Sequence, residues 1–481
     1  MAEKGFPAGI DMPCDPYEHG VHVAATIPKV HFRPPLGAGL KCPRADGKPG
    51  EDRTLGAGAH PFDDPALVRR PGGSWRESQC VLCRGARLMC GKARCPILAR
   101  VYAHVRTAPL MDTTTLSGSS PPSIFVGRMG YPRVDIGPMV PPTFGDTHLM
   151  DTPEEWVGQP IDGIIAMRQA LVRGKLSVRV DEPDAPNRLL QATRELAIGR
   201  GSPRVDAQFE RKPSGRITLS SEVQPMGPSA PIRTFEVENF SLDPMLERAY
   251  SDTDLLARDA ILELYDRGVY VSRIQRALSA GTMGEGKRRR LVPTRWSITA
   301  VDSTIGEAMM ERTRLAPTID EYRVYETVRL DNRWIILMMP TEWCYELIEA
   351  WYPDTLWNPS RTDIQIFGDH EFHEGRTTYA SIGGCYYAAR LAVNEVLTKE
   401  GRQAGVVILR EAHPGYILPV GVWNVREHVR EALRGAYARH DTLTGALGHV
   451  ERLMDIPLGR WILVSGILKD RLYQRRLEDF A

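Results

Sequence analysis

The spacing of apolar positions changes period several times along the chain, and each change marks an element. Recurrence at i, i+3 and i+4 predicts helices over residues 164–172, 187–197, 254–266 and 271–278, the third closed by Gly268. Thr152-Pro153-Glu154-Glu155 predicts another helix start, with Thr152 as N-cap, Pro153 in the first turn and a capping-box glutamate. Alternation predicts strands over 216–223 and 233–237. Further on, 322–329 and 333–339 flank Asp331-Asn332 as the two arms of a hairpin. Residues 345–351, 385–397 and 425–433 read as helices, and 364–367 and 406–410 as strands. Strands and helices mix without strict βαβ alternation, so the predicted class is α+β, a large integrated body with a small N-terminal four-cysteine module.

The front of the chain has a different texture. Residues 1–75 are rich in Gly, Pro and Asp and read as an irregular leader, with 21–32 as one candidate strand. Residues 76–150 hold the cysteines and then a Ser/Pro/Gly-rich passage, IFVGRMGYPRVDIGPMVPP, whose punctuation predicts strands and turns. The body divides into 151–285 and 286–470, with a tail over 471–481. The longest apolar stretches, 334–340 and 461–464, are too short to span a bilayer. With no apolar leader region after Met1, a soluble cytoplasmic protein without membrane partners is expected, nucleoid-associated when on DNA.

Composition adds a bound rather than an identity. Apolar residues at 42% and charged residues at 25% permit an ordinary large core. Lys and Arg total 61 against 60 acidic residues, a net charge of +1, so any nucleic-acid surface has to be local.

The chemistry-bearing residues begin with Cys80, Cys83, Cys90 and Cys95, spaced C-x2-C-x6-C-x4-C. Four closely spaced thiolates suit tetrahedral zinc, each sulfur about 2.3 Å from the metal. An iron–sulfur cluster accepts the same set. A disulfide framework needs an oxidising compartment that nothing here suggests, and a redox pair needs a βαβ context that the flanks lack. Between Cys80 and Arg106 there is no acidic residue, while Arg84, Arg87, Lys92, Arg94, Arg100 and Arg106 are all basic. That charge reads as a phosphate-tracking surface, with Arg84, Arg87, Lys92 and Arg94 as DNA-contact candidates. It also reads as compensation for the net negative charge of four thiolates on one divalent ion.

Three later segments suggest a pocket: LVPTRWSITAVDSTI (291–305), GRTTYASIGGCYYAARLAVNEVL (375–397) and EAHPGYILPVGVWN (411–424). On one reading they form a nucleotide- or nucleic-acid-processing site. Arg295, Asp302, Glu374, Arg376, Tyr379 and His413 are then its candidate catalytic groups, and Gly383-Gly384 an anion site at a helix start. On the other, Arg and Asp form buried ion pairs and the glycines only allow close packing. The Asp369–Glu374 run, DHEFHE, lacks H-E-x-x-H spacing and reads as a polar turn before a metal site. The basic run Lys287-Arg288-Arg289-Arg290 reads as an exposed loop.

At the tail, Gln474, Leu477 and Phe480 follow Q-x-x-L-x-x-F, a sliding-clamp peptide pattern. One tight helical turn sets Leu477 and Phe480 side by side as a plug, leaving the glutamine amide to anchor the entry. The pattern is short, and the same residues can instead extend the apolar stripe of Ile467, Leu468 and Leu472 onto the core.

Taken together, the cysteine cluster, SSEVQPMGPSAP, LVPTRWSITAVDST, EGRTTYASIGGCYYAARLAVNEVL, REAHPGYILPVGVWNVRE and the terminal QRRLEDFA resemble the archaeal NreA DNA-repair family, from about Ser74 onward. The resemblance implies a protein of the DNA-damage response that docks on the clamp PCNA through Gln474, Leu477 and Phe480. It also implies zinc ligation by Cys80, Cys83, Cys90 and Cys95, and cooperation with excision-repair proteins. It does not single out a catalytic activity.

Overall fold

The computed structural model describes residues 113–214, 223–238, 240–353, 355, 357–358, 360, 362–416 and 420–474. The four clustered cysteines, Arg84, Arg87, Lys92, Arg94, Leu477, Phe480 and the strand expected over 21–32 lie outside the described residues, as does most of the strand expected over 216–223.

Two six-stranded sheets organise what is described. The first contains β1 (Thr115–Ser119), β2 (Ile124–Val126), β3 (Arg133–Val140), β4 (Val172–Arg179), β5 (Arg204–Phe209) and β6 (Ser229–Glu238) in the order β1-β5-β6-β4-β3-β2. Only β4 and β6 run parallel; the other pairs are antiparallel. The turn-rich passage after the cysteines therefore becomes β1–β3. Helices α1 (Ile161–Ala170) and α2 (Arg188–Ala197) lie within this region of the chain. Asn187 caps α2 by accepting from the backbone N–H groups of Leu189 and Leu190, as its sequence position predicts.

The expected helix after Thr152 is corrected to a single 3-10 turn, Pro153–Glu155, without a side-chain cap. Glu154 serves a different helix. Its carboxylate accepts from the Ser272 N–H and hydroxyl, both at 2.8 Å, at the start of α5. The helical layer comprises α3 (Pro244–Ser251), α4 (Ala257–Asp266), α5 (Val271–Ser279) and the 20-residue α6 (Thr294–Thr313). Gly268, at φ +81°, ends the α4 region where the sequence places a stop. Leu246, Ile261, Ile274, Val301 and Ile305 form the core of this layer.

The second sheet contains β7 (Tyr322–Arg329), β8 (Asn332–Met339), β9 (Cys344–Trp351), β10 (Gln365–Glu371), β11 (Gly405–Ala412) and β12 (Ala438–His440), ordered β10-β9-β11-β8-β7-β12. β7 and β8 form the predicted hairpin, its turn carried by Leu330 (φ 49°) and Asp331 (φ 55°). Helices α7 (Gly384–Glu400) and α8 (Trp423–Arg434) cover one face, and α9 (Leu443–Leu453), α10 (Leu458–Ile462) and α11 (Gly466–Tyr473) the other. Trp334, Ile336 and Met338 of β8 face α7 and α8, while Ile335, Leu337 and Met339 face α9–α11. Each such fully buried large apolar side chain contributes about 1.5–3 kcal/mol.

The helix expected over 345–351 is corrected to strand β9. Its apolar spacing looked helical because two strand positions carry buried glutamates. Glu346 accepts from the Gly466 and Ile467 N–H groups at the start of α11, at 2.8 and 3.3 Å, and Glu349 pairs with Arg410 at 2.9 Å. No helix among the described residues is long and apolar enough to cross a membrane.

Candidate functional site

Helices α6, α7 and α8 meet at a charged junction, to which the 291–305 segment supplies Asp302 and the 375–397 segment Glu395, while the partners from α8 lie just past the 411–424 segment. The 291–305 segment supplies the first half of α6, and Asp302 on it is fully buried. Arg426 of α8 donates one nitrogen to both Asp302 oxygens, at 2.8 and 2.9 Å, and Gln275 of α5 donates at 3.1 Å. The chain of charges continues through Glu427, Arg430 and Glu395 to the Tyr265 hydroxyl, linking α4 to α8. Burial pushes the Asp302 carboxyl above its ordinary range, against the pull of Arg426 and Arg430. Burial opposes the charge on Arg426 too, but Asp302 and Glu427 outweigh it and hold the guanidinium protonated. With both carboxylate oxygens on one guanidinium, the pair is ionic.

This junction is closed. A neighbouring cavity, lined by Met139, Asp151, Arg168, Gln275, Arg276 and Ile298 among others, measures about 30 Å³, room for water but not for a nucleotide. Its own charges are matched internally, with Asp151 bound by Arg168 and Arg276.

Glu374, Arg376, Tyr379, Gly383 and Gly384 cluster separately, between β10 and α7. Arg376 makes a bidentate pair with Asp369 at 2.8 and 3.0 Å and lies 4.8 Å above the Tyr386 ring. Burial works against the Asp369 charge, yet Arg376 and the Ser381 N–H hold its carboxyl below the usual range. Glu374 is exposed, and Tyr379 packs against Tyr387 with ring centres 5.4 Å apart. Gly383, at φ 71° and ψ −150°, takes a conformation that L side chains avoid, which lets the chain enter the buried first turn of α7. The DHEFHE run is the end of β10 and the turn after it, so alternation sends its groups apart. Glu371 is buried on Arg390 at 2.9 Å, while His370 packs on Gly466.

His413 stands elsewhere again, just past β11. Its Nε2 is 3.5 Å from Glu411 and 3.8 Å from Asp455, and its ring stacks on Tyr352 at 4.4 Å. Glu411, His413 and Asp455 offer one ligand atom each within 4.8 Å of one another. Arg333, however, already sits 3.0 Å from Asp455, and Glu411 accepts from the Asp455 and Ile456 N–H groups. The charges are thus completed as an ion-pair cluster, in which Glu411 raises the His413 pKa above its ordinary value.

Arg295 lies in the first turn of α6, next to Trp296, which leans on the β2–β3 turn. Sequence reading passed over Tyr131, whose ring centre is 5.2 Å from that of Trp296, and Arg426, the partner of Asp302. The only signal for Tyr131 was its place in the Gly/Pro-punctuated GRMGYPR turn. Gln474 is exposed directly after α11.

Comparison with known proteins defines the class. The archaeal Nre N-terminal model matches residues 89–358 and the archaeal Nre C-terminal model residues 371–480, so the chain belongs to the archaeal Nre family. It is 40% identical to DNA repair protein NreB of Archaeoglobus fulgidus over 402 residues, 83% of this chain and 99% of that protein. It is 35% identical to DNA repair protein NreA of the same organism over 378 residues, 78% of this chain and 94% of that one. It is also 35% identical to DNA repair protein NreA of Haloferax volcanii over 353 residues, 72% of this chain and 84% of that one. No solved structure matches.

Proposed function

We propose that the protein is a DNA-repair factor of the DNA-damage response that reaches its substrate by docking on the sliding clamp PCNA. The observation that carries this reading is the 40% identity extending over 99% of DNA repair protein NreB. The docking element is the Gln474-x-x-Leu477-x-x-Phe480 peptide. Its support is physical. The Gln474 side chain is exposed at the point where α11 stops, so the anchor amide is already outside the core. A weak peptide on a ring that encircles DNA raises the local concentration of the body at its substrate, and modest affinities then combine. Zinc held by Cys80, Cys83, Cys90 and Cys95 would knit the basic segment bearing Arg84, Arg87, Lys92 and Arg94 into a surface close to DNA. Excision-repair proteins are the partners such a tethered factor would assist.

Titration calorimetry against PCNA tests the docking. Phe480→Ala is expected to abolish clamp binding while the thermal midpoint stays put; undiminished heat with the variant sinks the assignment. Metal analysis and charge reversal at Arg84, Arg87 and Arg94 test the cysteine segment. One zinc per chain and a flatter salt dependence of DNA affinity are expected.

A further inference from the structure

Three stretches distant in sequence meet at one end of the first sheet and present a common face. The β2–β3 turn, 127–132, is tied at its base by the Val126 N–H donating to the Thr294 hydroxyl at the start of α6, at 2.9 Å. Its far side is tied by the Val180 N–H donating to the Pro132 carbonyl, and Leu291 donates in turn to Val180, both at 2.9 Å. The register of β3 and β4 sets Arg133 opposite Arg179. The 287–290 run is therefore delivered next to the turn, and it divides. Arg289 is buried and spends its guanidinium on the Gly284, Tyr250 and Asp252 carbonyls, while Lys287, Arg288 and Arg290 remain outside.

The charges on this face do not cancel. Arg179 is taken by Asp181 and Glu182, Asp135 by Lys175, and Glu285 by Arg288. Arg133, Lys287 and Arg290 are all exposed and have no carboxylate within ion-pair distance among the described residues, the field of Arg290 reaching Asp181 from further off. Between these cations the turn projects Met129, 80% exposed, and Tyr131, 47% exposed and leaning on Trp296 at an interplanar angle of 57°. Large apolar tips are left in water only at a cost, and here they stand on a turn flanked by exposed cations.

We propose that this face binds DNA where bases are unpaired, at the junction of duplex and single strand. Arg133, Lys287 and Arg290 take phosphates, and Met129 and Tyr131 meet the exposed bases. The inference rests on the DNA-repair reading and deepens it by placing a DNA contact on the folded body, apart from the cysteine segment and the clamp peptide. The chemistry fits each part. Cations release counterions from the backbone, and an aromatic or apolar tip stacks on any base or wedges a weakened step.

The test uses the full chain without clamp, in fluorescence anisotropy. The probes are a forked duplex with single-stranded arms, the fully paired duplex of the same sequence, and phosphatidylserine vesicles. The unaltered protein is expected to prefer the fork. Arg133→Glu with Arg290→Glu is expected to weaken fork binding about ten-fold or more and to flatten the log K against log salt slope by about 1.8, at about 0.9 per phosphate contact. Tyr131→Ala is expected to keep that slope and lose about five-fold or more of the fork preference. Fork affinity and slope untouched by the double reversal overturn the proposal, as does equal binding of fork and duplex by the unaltered protein. Loss of vesicle binding alone assigns the face to membranes and overturns it too. The Arg133→Gln/Arg290→Gln pair, with an unchanged thermal midpoint, separates lost contact from lost fold. Clamp calorimetry is independent of all these readouts, so failure here leaves the docking reading standing, and the reverse holds.

Discussion

Two arginine-bearing regions lie two turns apart along one helix and meet opposite fates. Eight residues into α6, Asp302 is enclosed with Arg426, and the charges alternate through Glu427, Arg430 and Glu395, where the Tyr265 hydroxyl donates to the last carboxylate. At the start of the same helix, Trp296 leans on a turn whose neighbours Arg133 and Arg290 have no carboxylate within ion-pair distance among the described residues. Arginine content alone says nothing about function. What distinguishes the regions is whether each arginine is already partnered. A balanced buried pair adds little net stability but is costly to break, whereas an exposed unbalanced cation costs almost nothing to remove and keeps its field for a partner.

Breaking the enclosed region gives the largest expected effect. Asp302→Ala strands a buried guanidinium and should cost about 3–5 kcal/mol, seen as a large drop in the thermal midpoint. Joint replacement of Asp302 and Arg426 by leucine should recover much of that loss, because the desolvation cost disappears with the charges. A stable Asp302→Ala protein would mean that the network does not hold the helices together. Glu154 tests an intermediate regime, since it is half-buried and caps α5 from outside that helix. Glu154→Ala should cost about 1–2 kcal/mol, as the loss of a cap does.

The His413 cluster lies between the two extremes and carries a sign. Glu411 raises the folded pKa of His413 above the unfolded value of 6.5, so the folded state holds its proton more tightly. The resulting stability is fully present below pH 6.5 and is lost as pH rises through the folded value. His413→Gln should therefore cost about 1 kcal/mol in acid and progressively less in alkali. Denaturation across pH checks it, and a gap that widens with rising pH would reverse the assignment.

What was legible in the sequence depended on where the partners lay. The β7–β8 hairpin, the Asn187 cap and the Gly268 stop could be read because each is settled by residues a few positions apart. Strand β9 could not, because Glu346 and Glu349 looked like solvent positions until Arg410 and the start of α11 came into contact with them. The first half of α6 showed no clear stripe, since the helix is packed on several sides and Ser297 and Asp302 are buried with its apolar residues. Asp302 is completed by a residue 124 positions away. The 287–290 run gave no hint that Arg289 turns inward while its neighbours stay out; carbonyls from Tyr250 and Asp252 decide that.

The smallest predicted effect is the sharpest probe of the comparison. Arg290→Gln removes an exposed cation that no described carboxylate holds, so unfolding stability should stay within about 0.5 kcal/mol of the unaltered protein. Arg426→Gln, the same chemical change in the enclosed region, leaves the Asp302 carboxylate buried without its counter-charge and should cost several-fold more, in line with about 3–5 kcal/mol for a broken buried pair. Paired thermal and denaturant melts of the two variants measure the contrast. If Arg290→Gln destabilises as strongly as Arg426→Gln, then Arg290 is part of the fold's own charge balance, and the face around Tyr131 has no spare charge to offer a phosphate.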